Sequence, residues 1–247
     1  MKGYWKADCR RILKRIPRLV ILIALNLIYV IIFFTKSGKA SWNSVEFLSF
    51  FSSSVSLMAL FVGLAELNAV YGDDLKTRTL QVAIGRGISR RRVILIKLLE
   101  GAFLMFLDLA FLTVLLTVLA AGTGAGLHGE QFLEIFSLFL TYWLMTVAYF
   151  GVAAILTVNL QGTMIATFVY LAVASTIVDY LLRCVLEMKA LRGLHLSQYL
   201  LSAAAGNFQS RLVLGTFDVK NLLIVLAYIA ASYVISLLLF RHKELEF

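Results

Sequence analysis

Residues 19–34 read LVILIALNLIYVIIFF, a run with no formal charge. A helix of about 20 apolar residues is what crossing about 30 Å of hydrocarbon requires. Five more apolar segments follow this one, at about 45–68, 93–120, 132–158, 163–184 and 221–240. The 247 residues are 61% apolar and 15% charged, with 18 Phe and one Pro, and mean hydropathy is +0.89. Soluble domains average about 45–50% apolar and about 25% charged. A core of this size cannot hide so much apolar surface. Composition therefore excludes a soluble enzyme, and it excludes a disordered or nucleic-acid-binding tail despite a net charge of +9. The expected fold is all-α: one polytopic transmembrane domain, residues 1–247, with six membrane-spanning helices counted from 18–34.

Upstream of that run, residues 1–16 form no span. Trp5, Cys9, Ile12, Leu13 and Ile16 recur at helical spacing, with Lys2, Lys6, Arg10, Arg11 and Lys14 on the other side. This pattern predicts a basic amphipathic helix lying in the membrane interface, an elbow into the first span. Pro17 and Arg18 mark the turn, since Pro is tolerated where a helix's first N–H groups have no partner. The apolar run reaches Phe34 without a small-residue cleavage site, so it reads as an uncleaved span. Cys9 and Cys184 give no disulfide framework.

Six spans place both ends of the chain on one side. Sixteen Lys and Arg fall on that side: seven before Ile21, seven in the connector after the second span, and Arg241 and Lys243. Seven fall on the other: Lys36, Lys39, Arg183, Lys189, Arg192, Arg211 and Lys220. The positive-inside bias predicts cytoplasmic termini. Two connectors are long. The outer one, 185–220, mixes apolar residues with Ser, Gln and Asn over Leu196–Phe208, which suits short re-entrant or interfacial helices.

The cytoplasmic connector reads YGDDLKTRTLQVAIGRGISRRRVILIKLLEG from Tyr71 to Gly101. Asp73 and Asp74 follow Gly72 and suit a helix start. No breaker interrupts Leu75–Ile84, and Gly85 is a natural stop. About three turns of helix over 73–85 are expected. Ser89 is placed to cap the third span. Such a short helix needs the membrane or a partner to persist.

On these residues the chain resembles the permease subunits of type-2 ABC exporters, of the small six-span bacterial kind. Their connector motif runs acidic, three residues, Gly-Thr-Leu-Lys, a variable stretch, Pro-Ile-Ser-Arg, then a Lys inside the third span. Here Asp74 takes the acidic place, Thr79 and Leu80 the Thr-Leu, Ile88, Ser89 and Arg90 the Ile-Ser-Arg, and Lys97 the Lys. Arg78 replaces Gly, Gln81 replaces Lys and Gly87 replaces Pro. The elbow, the six spans and the short helices before the last span match the family's layout.

The resemblance implies that 73–85 is a coupling helix. Its ATPase-coupling residues would be Asp73, Asp74, Lys76, Thr79, Leu80, Gln81, Ile84, Ser89 and Arg90. It also implies two copies of a separate ABC ATPase subunit, which bind ATP and Mg, and a second permease copy or a paralogue. The chain has no G-x-x-x-x-G-K-[ST], so it is not expected to hydrolyse ATP itself, and no cofactor or metal is expected on it. It has neither H-E-x-x-H nor G-x-S-x-G, which argues against a membrane enzyme.

Polar residues within spans point to function by default. Asn26, Glu100 and Asp108 are candidates for cargo or interface contact. Asn26 also reads as interhelical glue, and the two acids as partners of Lys97 or another span. Glu66 reads as the partner of a connector cation, and Asp179 as a helix pair with Arg183. Trp42, Tyr142, Trp143 and Tyr149 read equally as anchors, core or cargo contacts. The expectation is an exporter in a bacterial plasma membrane, moving an amphipathic antimicrobial peptide or drug outward. The alternatives are export of a lipid or other hydrophobic compound, or a non-transport membrane partner or sensor.

Overall fold

The computed structural model describes residues 2–38, 43–76, 79–160, 162–188, 193 and 195–241, without the side chains of 2–4, 73, 76, 81 and 241. Trp42 and Arg78 lie outside the described residues. Those described form an all-helical architecture, that of a multi-pass membrane protein.

Helix α1 (Lys2–Leu13) breaks at Lys14–Arg15, and α2 (Ile16–Ser37) carries Pro17 in its first turn. Asn43 opens α3 (Ser44–Leu67), its side chain accepting the Glu46 N–H at 3.0 Å. A π-helical turn, Asn68–Gly72, carries α3 into the connector helices α4 (Asp73–Lys76) and α5 (Thr79–Gly85). Then come α6 (Arg90–Gly122), α7 (Gly129–Leu160), α8 (Thr163–Ala174) and α9 (Ile177–Leu186). A 3₁₀ turn (Leu196–Tyr199), α10 (Leu201–Val213) and α11 (Val219–Arg241) complete the fold.

Five helices are long and apolar enough to cross a bilayer: α2, α3 with its π-turn, α6, α7 and α11. The expected span at 163–184 is not a single helix. Its 12-residue α8 and 10-residue α9 meet at an angle of 59° across Ser175–Thr176. Thr176 sits at φ 63°, a left-handed conformation that ends α8. Alone, α8 rises about 18 Å, well short of about 30 Å of hydrocarbon. Among the described residues, the helices long and apolar enough to span therefore number five, or six if the bent pair crosses as one.

Helix α7 is the axle of the bundle. It packs against α3, α6, α8, α10 and α11. Its buried face runs from Ile135 through Leu144, Ala148 and Phe150 to Val158. Close approach of α3 to α8 depends on Gly63, where a Cβ would lie 1.9 Å from the Tyr170 hydroxyl oxygen. That hydroxyl donates to the Ala59 carbonyl at 3.1 Å, tying α8 to α3. Small residues that admit a neighbouring helix, and a polar group that bridges to it, are how helices associate in lipid. By contrast, α2 and α11 are peripheral. Exposed Val20, Ile23, Ile28 and Ile31 on α2, and Leu223, Val234 and Leu238 on α11, face outward as lipid-facing helices do.

Candidate functional site

The connector lies at the end of the bundle that also holds α1 and the last turn of α11. Within the expected helix 73–85, Asp73–Lys76 (α4) and Thr79–Gly85 (α5) are helical, and residues 77–78 between them lie outside the described residues. Helix α5 ends at Gly85, but the residue that reverses the chain is Gly87, at φ 86°. The Gly87 N–H donates to the Ile84 carbonyl at 2.9 Å, and the Ile88 N–H to the Ala83 carbonyl at 3.2 Å. This paired closure is a Schellman-type end, which favours glycine at the left-handed position. Gly87 occupies the place where the resembled motif has Pro. Ser89 holds the N-cap position of α6, yet its hydroxyl makes no capping bond. Its carbonyl accepts the Arg92 and Val93 N–H groups instead.

Helix α5 has two faces. Leu80 and Ala83 are buried, and Ile84 packs partly buried against the core. Val82, Gly85 and Arg86 point away, Val82 with 50% of its surface exposed. Thr79 opens the helix half-buried. The side chains of Asp73, Lys76 and Gln81 lie outside the described residues.

A buried ionic cluster fixes this connector to the bundle. The Lys97 ammonium, on α6, pairs with Asp8 of α1 and with Asp74 of α4, and lies 3.2 Å from Glu100. Arg11 bridges the same two aspartates at 2.6 Å each. Lys97, Asp74 and Glu100 are all at most 1% exposed. Three carboxylates thus share two cations, buried Lys97 and the partly exposed Arg11. A second cluster sits one layer deeper. Arg18, at the start of α2, donates to Glu66 at the end of α3 and makes a bidentate pair with Asp108 of α6 at 2.8 and 2.9 Å. Together the clusters join α1, α2, α3, α4 and α6. Removing one partner from such a pair strands a charge in low dielectric, at a cost of about 3–5 kcal/mol.

This geometry departs from several expected roles, while Glu100 and Asp108 take one of their two readings, as ion-pair partners of Lys97 and of another span. Asp74 points inward, so its carboxylate holds the connector and presents nothing at the surface. Arg90 donates to the Phe240 carbonyl at 2.7 Å and lies over the Phe240 ring at 5.4 Å, which ties α6 to the end of α11. Asn26 does not reach a neighbouring helix, because its amide donates to the Leu22 carbonyl of its own helix at 2.8 Å. Glu100 and Asp108 are engaged by Lys97 and Arg18, and Glu66 by Arg18, a cation of the first span and not of the connector. Asp179 accepts the Ser202 N–H of α10 at 3.2 Å and does not pair with Arg183.

Sequence reasoning missed Asp8, and it left Arg11 and Arg18 among the headgroup cations. One signal was available. Asp8 is the only acid among the first 18 residues, and it stands beside Cys9 on the apolar stripe of α1. Burial, helped by the neighbouring Glu100 and Asp8 charges, pushes the Cys9 thiol up to about 11. Cys9 is buried, whereas Cys184 is exposed. Among the described residues no group of His, Cys, Asp or Glu is arranged to hold a metal ion.

No family model matches the chain. No curated protein is significantly similar to it.

Proposed function

We propose that this chain is the membrane-embedded permease subunit of an ATP-driven exporter of the type-2 ABC kind. A separate ATPase subunit docks on the outward face of α5 around Val82 and Arg86, and two such subunits serve a pair of permeases. The membrane is a bacterial plasma membrane, and the termini and connector lie in the cytoplasm. The cargo is amphipathic, a peptide or drug, taken from the membrane and released outward.

The observation that carries this reading is the mechanical arrangement of the connector. A displaced surface loop would not move the spans behind it. Here α4 is held to α6 by the Lys97–Asp74 pair and to α1 by Arg11. A push on α5 is transmitted directly to α6, and through α1 to α2. A partner can shift such a bundle only if it binds the two arrangements with different affinity. In this reading the exposed face of α5 supplies the binding, and the buried ion pairs supply the stiffness.

A photo-crosslinker attached at Val82→Cys, in a Cys184→Ser background, tests the docking face in native membranes. The expected adduct is a soluble protein containing G-x-x-x-x-G-K-[ST]. The same crosslinker at Thr123→Cys, at the opposite end of the bundle, should give none. Equal yields at both positions, or an adduct with no nucleotide-binding protein, would overturn the assignment.

A further inference from the structure

A groove runs between α2 and α3 on the outside of the bundle, apart from the face of α5. It encloses about 340 Å³. Most of its wall is apolar: Ile21 and Leu25 on α2, and Phe61, Leu64 and Ala65 on α3. The short side chain of Ala65 leaves the hollow, and Phe61 stands 42% exposed beside it. Toward α1 the wall turns polar, with Arg15 and Asn68 at the mouth.

The groove is about one leaflet long. Along α2 the rise from Arg15 to Leu25 is about 15 Å at about 1.5 Å per residue, half of a hydrocarbon core of about 30 Å. Its mouth lies where the basic amphipathic α1 meets α2, and such a helix rests at the level of the headgroups. The Arg15 guanidinium donates to the Asn68 carbonyl at 3.4 Å, which holds its charge at the mouth. Arg10 and Lys14 are exposed on the adjoining turn. Arg18, at the floor, is engaged by Glu66 and Asp108. Among the described residues no acidic side chain lines the groove.

We propose that this groove is a binding site for an anionic phospholipid, with one acyl chain along Ile21, Leu25 and Phe61 and the phosphate at Arg15. The slot is apolar over the length of a leaflet and cationic only at its headgroup end, so it complements a lipid in both shape and charge. A guanidinium suits phosphate oxygens in particular. A choline headgroup also offers a phosphate, but it brings a second cation to a basic mouth. A cation near an anionic membrane surface favours the anionic lipid roughly fivefold. The bound lipid fills the gap between peripheral α2 and α3. The assignment stands whether or not the chain works with an ATPase.

Photo-crosslinking tests it. The full chain is placed in nanodiscs of mixed phosphatidylglycerol and phosphatidylcholine, with a mid-chain diazirine on a trace of one lipid or the other. Labelled positions are mapped by mass spectrometry. The groove residues should be labelled roughly fivefold more by phosphatidylglycerol, and Val234, exposed on α11, should show no such preference. Arg15→Gln should abolish the preference and Arg15→Lys should keep it, since the charge is retained. Ala65→Leu, which fills the hollow, should lower labelling by both lipids. Unchanged labelling at Val234 reports an intact bundle in each variant. The proposal is overturned if the two lipids label the groove equally, if Val234 shows the same preference, or if the preference survives Arg15→Gln. It is also overturned if neither lipid labels the groove, as when a second copy of the chain covers it.

Discussion

At the scale of single residues, Lys97 bears the most. It is the hub on which three carboxylates from three helices converge, and among the described residues only Arg11 would remain to balance them. Lys97→Met is expected to lower stability by about 3–5 kcal/mol. Arg91→Met, at an exposed position on the same helix, should stay within about 0.5 kcal/mol. Thermal unfolding in nanodiscs compares the two. The Lys97→Met, Asp74→Asn pair should lose less than the sum of its single changes, as directly interacting partners do. Additive losses would mean that the pair does not interact. Little of this was legible in the sequence. Lys97 was visible as a motif position, and Glu100 and Asp108 as costly intramembrane acids. The Lys97–Glu100 pair was one reading open in the sequence, but Asp8 and Arg18 were not legible as partners of Lys97 and Asp108, from which they are separated by some 90 residues. Composition reports that charges are present, but pairing across helices is a property of the fold.

At the scale of elements, helix positions follow from hydropathy and the joints between helices do not. Long apolar segments and their polar connectors set the bounds of α2, α3, α6, α7 and α11 to within a few residues. Hydropathy averages over a turn or more, so it is blind to a single left-handed residue such as Thr176 and to the bend that follows. It is equally blind to close helix approach. Gly63→Ala places a methyl group where the Tyr170 hydroxyl lies, which must then give up the Ala59 carbonyl. A loss of about 1–3 kcal/mol is expected, and Tyr170→Phe in the same chain should relieve part of it by removing the clashing oxygen. If Gly63→Ala unfolds at the parent's temperature, α3 and α8 do not pack as described.

Helix α11 offers a pH test at its first turn. The Asn221 backbone N–H donates to Asp218 at 3.1 Å and its side-chain amide donates at 2.8 Å, with Arg211 at 3.7 Å. The backbone bond first, and then the side-chain bond and Arg211, hold the Asp218 carboxyl below its ordinary value. A depressed folded value stabilises the helix start above the usual carboxylate range, and that contribution is lost as pH falls through the depressed value. Amide exchange at Asn221 and Leu222, corrected for intrinsic rates, should speed up over that acid window. Asp218→Ala should show the faster exchange at every pH. Equal protection in parent and variant would remove Asp218 from the cap.

At the scale of the whole molecule, the bundle has two unlike ends. One gathers α1, the connector and the end of α11 around buried ion pairs, with basic Arg86, Arg91 and Arg92 exposed beside them. The other holds the bent α8–α9 pair and α10. The proposed transporter would take up energy at the first end and needs a rigid link to the other, and α6 and α7, of 33 and 32 residues, run nearly the whole distance. At 1.5 Å per residue each extends about 50 Å, past the hydrocarbon on either side. In the proposed reading the driving ATPase is a separate chain, so the most direct measurement is of what this chain holds. The tagged protein is purified in gentle detergent from the membrane of the cell that makes it, and co-purifying proteins are identified and quantified by mass spectrometry. The expected companion is a soluble protein with G-x-x-x-x-G-K-[ST], in roughly equal amount, lost when Val82→Glu and Arg86→Glu are introduced together. If no such protein appears under several lipid conditions, or if it is retained undiminished by the double variant, the chain is not an ATPase-driven permease working through α5.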